Sequence, residues 1–138
     1  MEFFESPDMD CEDSKNNLLV YVVDDNALLG QVTAQIVETA GFRTRTFSNG
    51  KEGNAALSSE DTKPDLLITD FDLGDIEGFD LIETAKRTIP GIQCLLVSGS
   101  VRMEKLKEHA IKPDHFLAKP FKPDELVALV QQMARTPR

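Results

Sequence analysis

The sequence predicts an α/β fold, a doubly wound parallel sheet of five strands with five helices. Short apolar runs alternate with amphipathic stretches from Leu18 onward, which is typical of βαβ units. Three of these runs are apolar almost throughout, as expected for strands that are buried on both faces. A chain of 138 residues is long enough for one domain with a sizeable core. The predicted strands are residues 18–23, 42–47, 65–70, 92–98 and 114–118.

The first two helices differ in the strength of their signals. Asn26 is a suitable N-cap for the first helix, and Gly41 ends it. One apolar face of that helix carries Leu28, Leu29, Val32, Ile36 and Val37. A second, weaker helix follows Ser48 and contains Gly50 and Gly53, each of which lowers helix stability.

The last three helices are recognised by the spacing of their apolar residues. The third spans residues 78–88, ends before Pro90, and shares one apolar face among Phe79, Ile82 and Ala85. The fourth, near residues 101–110, carries few apolar side chains and is expected to be thinly anchored. The fifth begins at Pro123 and has acidic residues in its first turn, which suit the positive end of the helix dipole. Its inward positions are Leu126, Leu129, Val130 and Met133.

The chain is acidic, with 24 Asp and Glu against 15 Lys and Arg and a formal net charge of −9. No block of basic residues occurs, so direct binding to nucleic acid is not expected. No membrane association and a cytoplasmic location are predicted, because the sequence contains neither a bilayer-length apolar stretch nor a basic secretory start. Residues 1–17 are acidic without helical or strand periodicity, and are predicted to be a disordered arm ahead of a domain at 18–138. Neither Cys11 nor Cys94 suggests a disulfide or a metal site.

Charged side chains stand at the ends of three predicted strands. Asp24 and Asp25 follow the first strand, Asp70 ends the third and Lys119 follows the fifth. Because the carboxyl ends of parallel strands meet at one edge of an open sheet, we expect these groups to lie together. Clustered carboxylates suit Mg²⁺, and an adjacent ammonium suits a phosphoryl group. Asp70 would then either complete the metal site or act as a nucleophile that forms an aspartyl phosphate.

A purely structural role is the alternative for each of these residues taken singly. An aspartate after a strand is often a helix cap, and Ser98 beside Gly99 is typical of a turn. A lysine such as Lys119 is usually a surface charge. The joint placement of these residues at four strand ends is what favours a functional site.

Four motifs together resemble the receiver domain of two-component response regulators. They are Val22-Val23-Asp24-Asp25-Asn26, Leu67-Ile68-Thr69-Asp70-Phe71-Asp72-Leu73, Leu95-Leu96-Val97-Ser98-Gly99 and Phe116-Leu117-Ala118-Lys119-Pro120-Phe121. The intervals between residues 25, 70, 98 and 119 also match that family, and the resemblance extends from residue 18 to about residue 135. It implies a flavodoxin-like fold with strand order 2-1-3-4-5 and suggests a stand-alone, chemotaxis-regulator-like receiver.

The resemblance implies that Asp70 is the phosphorylation site and that Mg²⁺ is the cofactor. The metal ligands would be Asp24, Asp25, Asp70 and the backbone carbonyl of Asp72. Asp72 lies two residues past Asp70 and hence on the same side of an extended segment. Its carboxylate is therefore expected to be free to lie beside the phosphoryl group.

The same resemblance gives roles to residues on the last two strands. Ser98 and Lys119 would donate hydrogen bonds to phosphoryl oxygens, and the metal and the ammonium would neutralise charge on those oxygens. Ser98 and Phe116 would form the switch that responds to phosphorylation. A cis peptide bond would precede Pro120.

A signalling switch is implied, with at most self-phosphorylation and self-dephosphorylation activity. Its phosphohistidine donor would be a sensor histidine kinase or a histidine phosphotransfer protein, and a downstream protein partner would recognise the result. The chain would be a monomer or a phosphorylation-dependent dimer. Gly74 stands where the family commonly has proline, and residues 111–114 replace its usual Gly-Ala, so the surface that meets partners is atypical.

Two other interpretations remain open. The chain could be the receiver fragment of a hybrid histidine kinase or of a multidomain regulator. Asp70 and Asp72 also form the Asp-x-Asp pattern of haloacid-dehalogenase-like phosphatases, although here the motif lies mid-chain rather than on the first strand. The phosphatase interpretation is the less favoured of the two.

Overall fold

The structure is a computed structural model that describes residues 18–59, 63–99 and 112–136. The predicted acidic arm at 1–17 and the predicted fourth helix at 101–110 lie outside the described residues. None of the helices in the described ranges is long and apolar enough to cross a membrane.

Five parallel strands form one sheet in the order β2-β1-β3-β4-β5, as predicted. The strands are β1 Leu19–Val23, β2 Arg43–Phe47, β3 Leu66–Asp70, β4 Gln93–Ser98 and β5 His115–Ala118. Each begins one residue later than the sequence predicts. The displaced residues still bond to the sheet, since Leu18 accepts a hydrogen bond from the Arg43 N–H and Asp65 donates one to the Leu19 carbonyl. The difference is therefore confined to strand ends, where the ladder is incomplete.

The register of the sheet brings the carboxyl ends of four strands level. The aligned pairs at this edge are Val23 with Thr69, Asp70 with Val97, and Ser98 with Ala118. Three backbone bonds continue the ladder past the strands, from Asp24 N to Phe47 O, from Phe71 N to Val97 O and from Lys119 N to Ser98 O. The residues that follow these strands are therefore bonded to the neighbouring strand by backbone hydrogen bonds.

Four helices lie in the described ranges, two on each face of the sheet. They are α1 Ala27–Thr39, α2 Gly50–Ser58, α3 Gly78–Thr88 and α4 Pro123–Arg135. One core cluster joins α2 and α3 to one face of the sheet through residues such as Leu57 and Phe79. The other joins α1 and α4 to the opposite face through residues such as Val37 and Val130. All of β1 is buried, which explains its continuous apolar run.

The N-cap predicted for α1 is confirmed, and α2 follows Ser48 as predicted. The Asn26 side chain accepts a hydrogen bond from the Leu29 N–H at 3.1 Å. Helix α2 begins at Gly50 and is capped by Asn49, which accepts from the Glu52 N–H at 2.7 Å. A Cβ on Gly50 would lie 2.2 Å from Ile76 Cγ1, so this glycine is required by close packing despite its cost to the helix.

The apolar face predicted for α1 packs on the sheet only in part, since Val37 is buried and Ile36 packs against the core while the other three residues are exposed. The buried residues of α1 are Gly30, Thr33, Ala34 and Val37. Leu28, Leu29 and Val32 are instead 68%, 44% and 43% exposed. Small side chains let the helix lie close to the sheet, and this displaces its larger apolar residues toward solvent.

Candidate functional site

Three carboxylates meet at the carboxyl edge of the sheet. Oxygen atoms of Asp24, Asp25 and Asp70 all lie within 4.8 Å of one another. Asp24 is buried and Asp70 half-buried, whereas Asp25 is exposed. The adjacent parallel strands β1 and β3 end at the same level, and this brings their terminal aspartates together.

Lys119 bridges two of these carboxylates. Its Nζ lies 3.3 Å from Asp24 Oδ2 and 3.5 Å from Asp70 Oδ2. The lysine follows β5 directly, and its backbone N–H donates to the Ser98 carbonyl at 3.0 Å, which fixes the start of the side chain. The Lys119 side chain is only 25% exposed. It is thus part of the site rather than a free surface charge.

The surroundings of Asp70 make its ionised form less favourable than that of an exposed aspartate. Burial raises the pKa of Asp70 above its usual value, and the neighbouring Asp24 and Asp25 add to the rise. The Lys119 ammonium and the Phe71 N–H, which donates to Asp70 Oδ1 at 2.8 Å, lower the pKa without cancelling the rise. The site therefore holds excess negative charge that a cation would relieve.

Gly78, the first residue of α3, packs directly on the backbone of Asp70. A Cβ at this position would lie 2.2 Å from the Asp70 carbonyl oxygen. The Gly78 N–H also donates to the Phe71 carbonyl at 2.7 Å. Helix α3 can approach the end of β3 this closely only because residue 78 has no side chain.

In the loop between β3 and α3, the Asp72 carboxylate is not free, which differs from the sequence prediction. Asp72 Oδ1 accepts a hydrogen bond from the Gly74 N–H at 3.0 Å, so the side chain folds back on its own loop and is not free. Gly74 has a φ of 85°, a left-handed conformation that glycine adopts without strain.

Sequence reasoning missed a contact made by Asp75 in the same loop. Its carboxylate accepts hydrogen bonds from the backbone N–H groups of Gly50 and Lys51, the first residues of α2. A lone aspartate in a turn gives no signal of such a distant partner.

The remaining predicted residues lie on β4, on β5 and just after β5. Ser98 ends β4 and is buried. Phe116 is half-buried and packs against the core cluster that includes Tyr21 and Phe79. The peptide bond between Lys119 and Pro120 is cis. The structure therefore places Ser98 and Lys119 at the same edge as the three aspartates.

The chemistry of the three carboxylates fits a magnesium ion. Mg²⁺ prefers oxygen ligands and is usually held by one or two carboxylates with retained water. Asp24, Asp25 and Asp70 offer one oxygen each within a space of 4.8 Å. The acidic cluster and the raised pKa of Asp70, which has burial as its main cause, both favour a bound cation.

Comparisons with known proteins place the chain in a family. The sequence profile of the response regulator receiver domain matches residues 20–131. The chain therefore belongs to the response regulator receiver family, whose members act as phosphorylation-controlled signalling switches and not as classical enzymes. This membership disfavours the haloacid-dehalogenase-like interpretation.

Individual relatives and solved structures agree with that assignment. A DNA-binding transcriptional regulator NtrC of Salmonella typhimurium is 30% identical over 115 residues, which cover 83% of this chain and 24% of that protein. The cell cycle transcriptional regulator CtrA of Caulobacter vibrioides is 27% identical over 84% of this chain and 50% of its own length. A CheY-like receiver domain protein of Methanospirillum hungatei has a TM-score of 0.78 at 26% identity, covering 86% of this chain and 94% of that one.

The match is to one part of these regulators. The chain spans from about a quarter to half of the length of the curated relatives named above. What the printed names say about DNA binding applies to those longer proteins.

Proposed function

We propose that this chain is a phosphorylation-controlled switch in which Asp70 accepts a phosphoryl group from a phosphohistidine of a partner protein. The observation that carries the proposal is the convergence of Asp24, Asp25 and Lys119 on the Asp70 carboxylate. In the transfer, an Asp70 oxygen forms a bond to phosphorus while the bond from phosphorus to the donor imidazole nitrogen breaks. The product is an aspartyl phosphate and a free histidine on the donor.

The chain's own residues position the group and balance its charge. Lys119 is already next to Asp70 and would pair with a phosphoryl oxygen, and the Ser98 hydroxyl would donate to another. Phosphoryl transfer needs little covalent work from a protein, so such positioning and neutralisation account for most of the catalysis. Asp24, Asp25, Asp70 and the Asp72 carbonyl would hold Mg²⁺, which supplies further neutralisation of phosphoryl oxygens.

Phosphorylation would reach the surface of the domain through Ser98 and Phe116. Ser98 is buried at the end of β4 and lies beside Ala118, two residues after Phe116. Movement of the Ser98 hydroxyl toward the phosphoryl group would free space for the half-buried phenylalanine ring, which has no polar atom to satisfy. A downstream protein would then recognise the altered surface around β4 and β5.

The protein donor would dock on an apolar groove beside the acceptor. This groove has a volume of ≈ 530 Å³ and is lined by α1 residues together with Lys119 and the segment after it. Leu29 and Val32 expose apolar surface there. Because Lys119 lines the groove and also contacts Asp70, a helix resting in the groove would have its histidine near the acceptor. The proposed setting for this exchange is the cytoplasm.

The assignment of Asp70 is tested with acetyl phosphate and Mg²⁺, followed by intact-mass measurement and hydroxylamine treatment. Wild-type protein should gain one hydroxylamine-labile phosphoryl group, and Asp70→Asn should gain none. Glu83→Gln, which alters an exposed carboxylate of α3 away from the site, should behave as wild type. Labelling of Asp70→Asn at the wild-type rate would overturn the assignment.

A further inference from the structure

The carboxylate of Asp75 joins the acceptor-site loop to the start of α2. Its Oδ1 accepts the N–H of Gly50 at 3.0 Å, and its Oδ2 accepts the N–H of Lys51 at 2.9 Å. Oδ1 also accepts the N–H of Ile76 at 2.8 Å, which fixes the carboxylate relative to its own loop. One side chain therefore connects segments that are distant in sequence.

Helix α2 has a separate N-cap and does not depend on Asp75 for one. Asn49 accepts the N–H of Glu52, one of the backbone donors at the helix start that lack a partner within the helix. Asp75 accepts the N–H groups of Gly50 and Lys51 from a different loop. The hydrogen bond from Lys51 is the main cause that lowers the pKa of Asp75, so the carboxylate is ionised at neutral pH. Because α2 already has a cap, we expect the contact to stabilise mainly the loop that carries Asp75.

The loop itself has the form of a short hairpin whose tip is at Gly74 and Asp75. Asp72 pairs with Glu77 in an antiparallel bridge, and the Leu73 N–H donates to the Ile76 carbonyl at 3.1 Å. Leu73 at its base is buried. Among the described residues, no heavy atom outside Gly74 and its chain neighbours lies within 4 Å of a Cβ built on Gly74, so packing does not hold that side of the tip. Packing of Leu73 and Ile76 on the core holds the base of the hairpin, and the hydrogen bonds of Asp75 add a connection from its tip to α2.

We propose that Asp75 is a positioning residue: it holds the loop that carries the Asp72 carbonyl in the arrangement that receives Mg²⁺ beside Asp70. The inference rests on the proposed function, because the Asp72 carbonyl is a metal ligand only there. The close approach of the loop to α2 supports it, since a Cβ on Gly50 would lie 2.2 Å from Ile76 Cγ1 and 3.0 Å from Asp75 Oδ1. Loop and helix are built to be in direct contact.

The test is Mg²⁺ binding by isothermal titration calorimetry, without any phosphodonor, on wild type and Asp75→Ala. Loss of the contact should raise the Mg²⁺ dissociation constant about five-fold, the effect expected from losing roughly one ordinary hydrogen bond, because Asp75 is exposed to solvent. Phosphorylation by acetyl phosphate should be slowed at low Mg²⁺ and restored at saturating Mg²⁺, because the acceptor chemistry itself is unchanged. The conservative Asp75→Asn keeps an oxygen for Gly50 and Ile76 and should give an intermediate dissociation constant.

The matched control is Asn49→Ala, which removes the side-chain cap of the same helix without removing the Asp75 contacts. It should lower the thermal midpoint and leave the Mg²⁺ dissociation constant unchanged. A second readout is the pair of Gly50 and Lys51 amide resonances in ¹⁵N-labelled protein. They should shift on Mg²⁺ addition in wild type and lose that response in Asp75→Ala.

Two outcomes separate this inference from the proposed function. If Asp70 is phosphorylated normally but Asp75→Ala binds Mg²⁺ as tightly as wild type, the positioning role is overturned while the switch remains. If Asn49→Ala weakens Mg²⁺ binding as much as Asp75→Ala, the effect belongs to helix stability and the positioning role is again overturned. If Asp70→Asn is still phosphorylated while Asp75→Ala weakens Mg²⁺ binding, the phosphoacceptor assignment fails and Asp75 retains its role.

Discussion

Lys119 Nζ lies 3.5 Å from Asp70 Oδ2, although Asp70 ends β3, Lys119 follows β5 and β4 lies between these two strands. The ammonium therefore reaches across the end of the intervening strand, and it contacts Asp24 Oδ2 at 3.3 Å as well. A lysine placed in this way balances the acidic site before any phosphoryl group arrives. Its contribution to the unphosphorylated protein is consequently larger than a surface lysine would make.

Lys119→Ala should fold but be less stable in the absence of divalent cations. Removing the ammonium leaves Asp24 and Asp70 facing each other in a largely buried setting, and we expect a loss of about 2 kcal/mol in the free energy of unfolding. Mg²⁺ should restore part of this loss, because it neutralises the same carboxylates. Urea denaturation in EDTA and in Mg²⁺ measures both effects, with the exposed Lys112→Ala as the control. Equal stability of Lys119→Ala and wild type in EDTA would contradict the expectation.

Asp70→Asn should be more stable than wild type at neutral pH without Mg²⁺. Burial raises the pKa of Asp70 in the folded protein above its usual value of 3.8, so ionised Asp70 disfavours the folded state. Between pH 3.8 and the raised pKa, the folded chain binds a proton on Asp70 that the unfolded chain does not. The contribution of Asp70 to the free energy of unfolding of the wild type therefore falls as pH rises through this range. The advantage of Asp70→Asn should therefore disappear as pH falls below 3.8. Thermal unfolding from neutral to acidic pH is the measurement, and a variant that is less stable at pH 7 would refute the argument.

Gly78→Ala and Gly30→Ala should change stability in opposite directions. A Cβ on Gly78 would meet the Asp70 carbonyl oxygen at 2.2 Å, and the backbone cannot move away without displacing the acceptor. We expect a loss of about 2 to 3 kcal/mol, typical of overpacking, together with slower phosphorylation. Gly30 is helical and its Cβ would meet Asp24 Cβ at an ordinary 3.4 Å, so alanine there should stabilise α1 by up to about 1 kcal/mol. Urea denaturation of both variants tests the pair, and a Gly78→Ala variant as stable as wild type would show that α3 can shift.

Val32→Glu should separate protein donors from small-molecule donors. The substitution places a charge in the apolar groove and leaves the aspartates and Lys119 in place. Transfer from a phosphorylated histidine phosphotransfer protein should slow at least about tenfold. The reason is that burying the new carboxylate under the docked donor would weaken binding by roughly 1.4 kcal/mol or more. Phosphorylation by acetyl phosphate should be unchanged. Gln35→Glu, on the same helix but outside the groove, is the control, and equal slowing with both donors would argue against docking at this surface.

Phe116 should change its environment when the acceptor is phosphorylated. Beryllofluoride, an aspartyl-phosphate mimic, should draw the Ser98 hydroxyl toward Asp70 and let the aromatic ring move inward. The ring resonances of Phe116 should shift in aromatic NMR spectra, whereas those of the buried Phe42 in the opposite core cluster should not. Identical Phe116 resonances with and without beryllofluoride would rule out this switch.

Sequence alone predicted the sheet and the assembly of the site, because both depend on local patterns. Continuous apolar runs identified the buried strands, and parallel topology placed their terminal residues at one edge. Asp24, Asp70 and Lys119 could therefore be placed together before any coordinates. The helix at 78–88 was likewise predicted to the residue, since Gly78 starts it and Thr88 ends it.

What the sequence could not predict depends on contacts between distant segments. Hydrophobic periodicity was right about Val37 in α1 but not about Leu28, which is exposed, and it did not indicate that the small residues Gly30 and Ala34 pack on the sheet. Gly50 appeared only to weaken a helix, yet the proximity of Ile76 explains it. The partners of Asp75 belong to another element, and no pattern within its own loop points to them.

The small residues on the inner face of α1 also set the distance between the sheet and the groove on the outside of the helix. Gly30 and Ala34 fix how far the outer surface of the helix stands from the sheet, and the sheet in turn fixes the depth of Asp70. The distance between the groove and Asp70 is thus set in part by residues of α1 that are buried inside the protein. Larger residues at these inner positions would move the groove away from Asp70, and under the proposed docking mode they would slow transfer from a protein donor without changing the residues that line the groove.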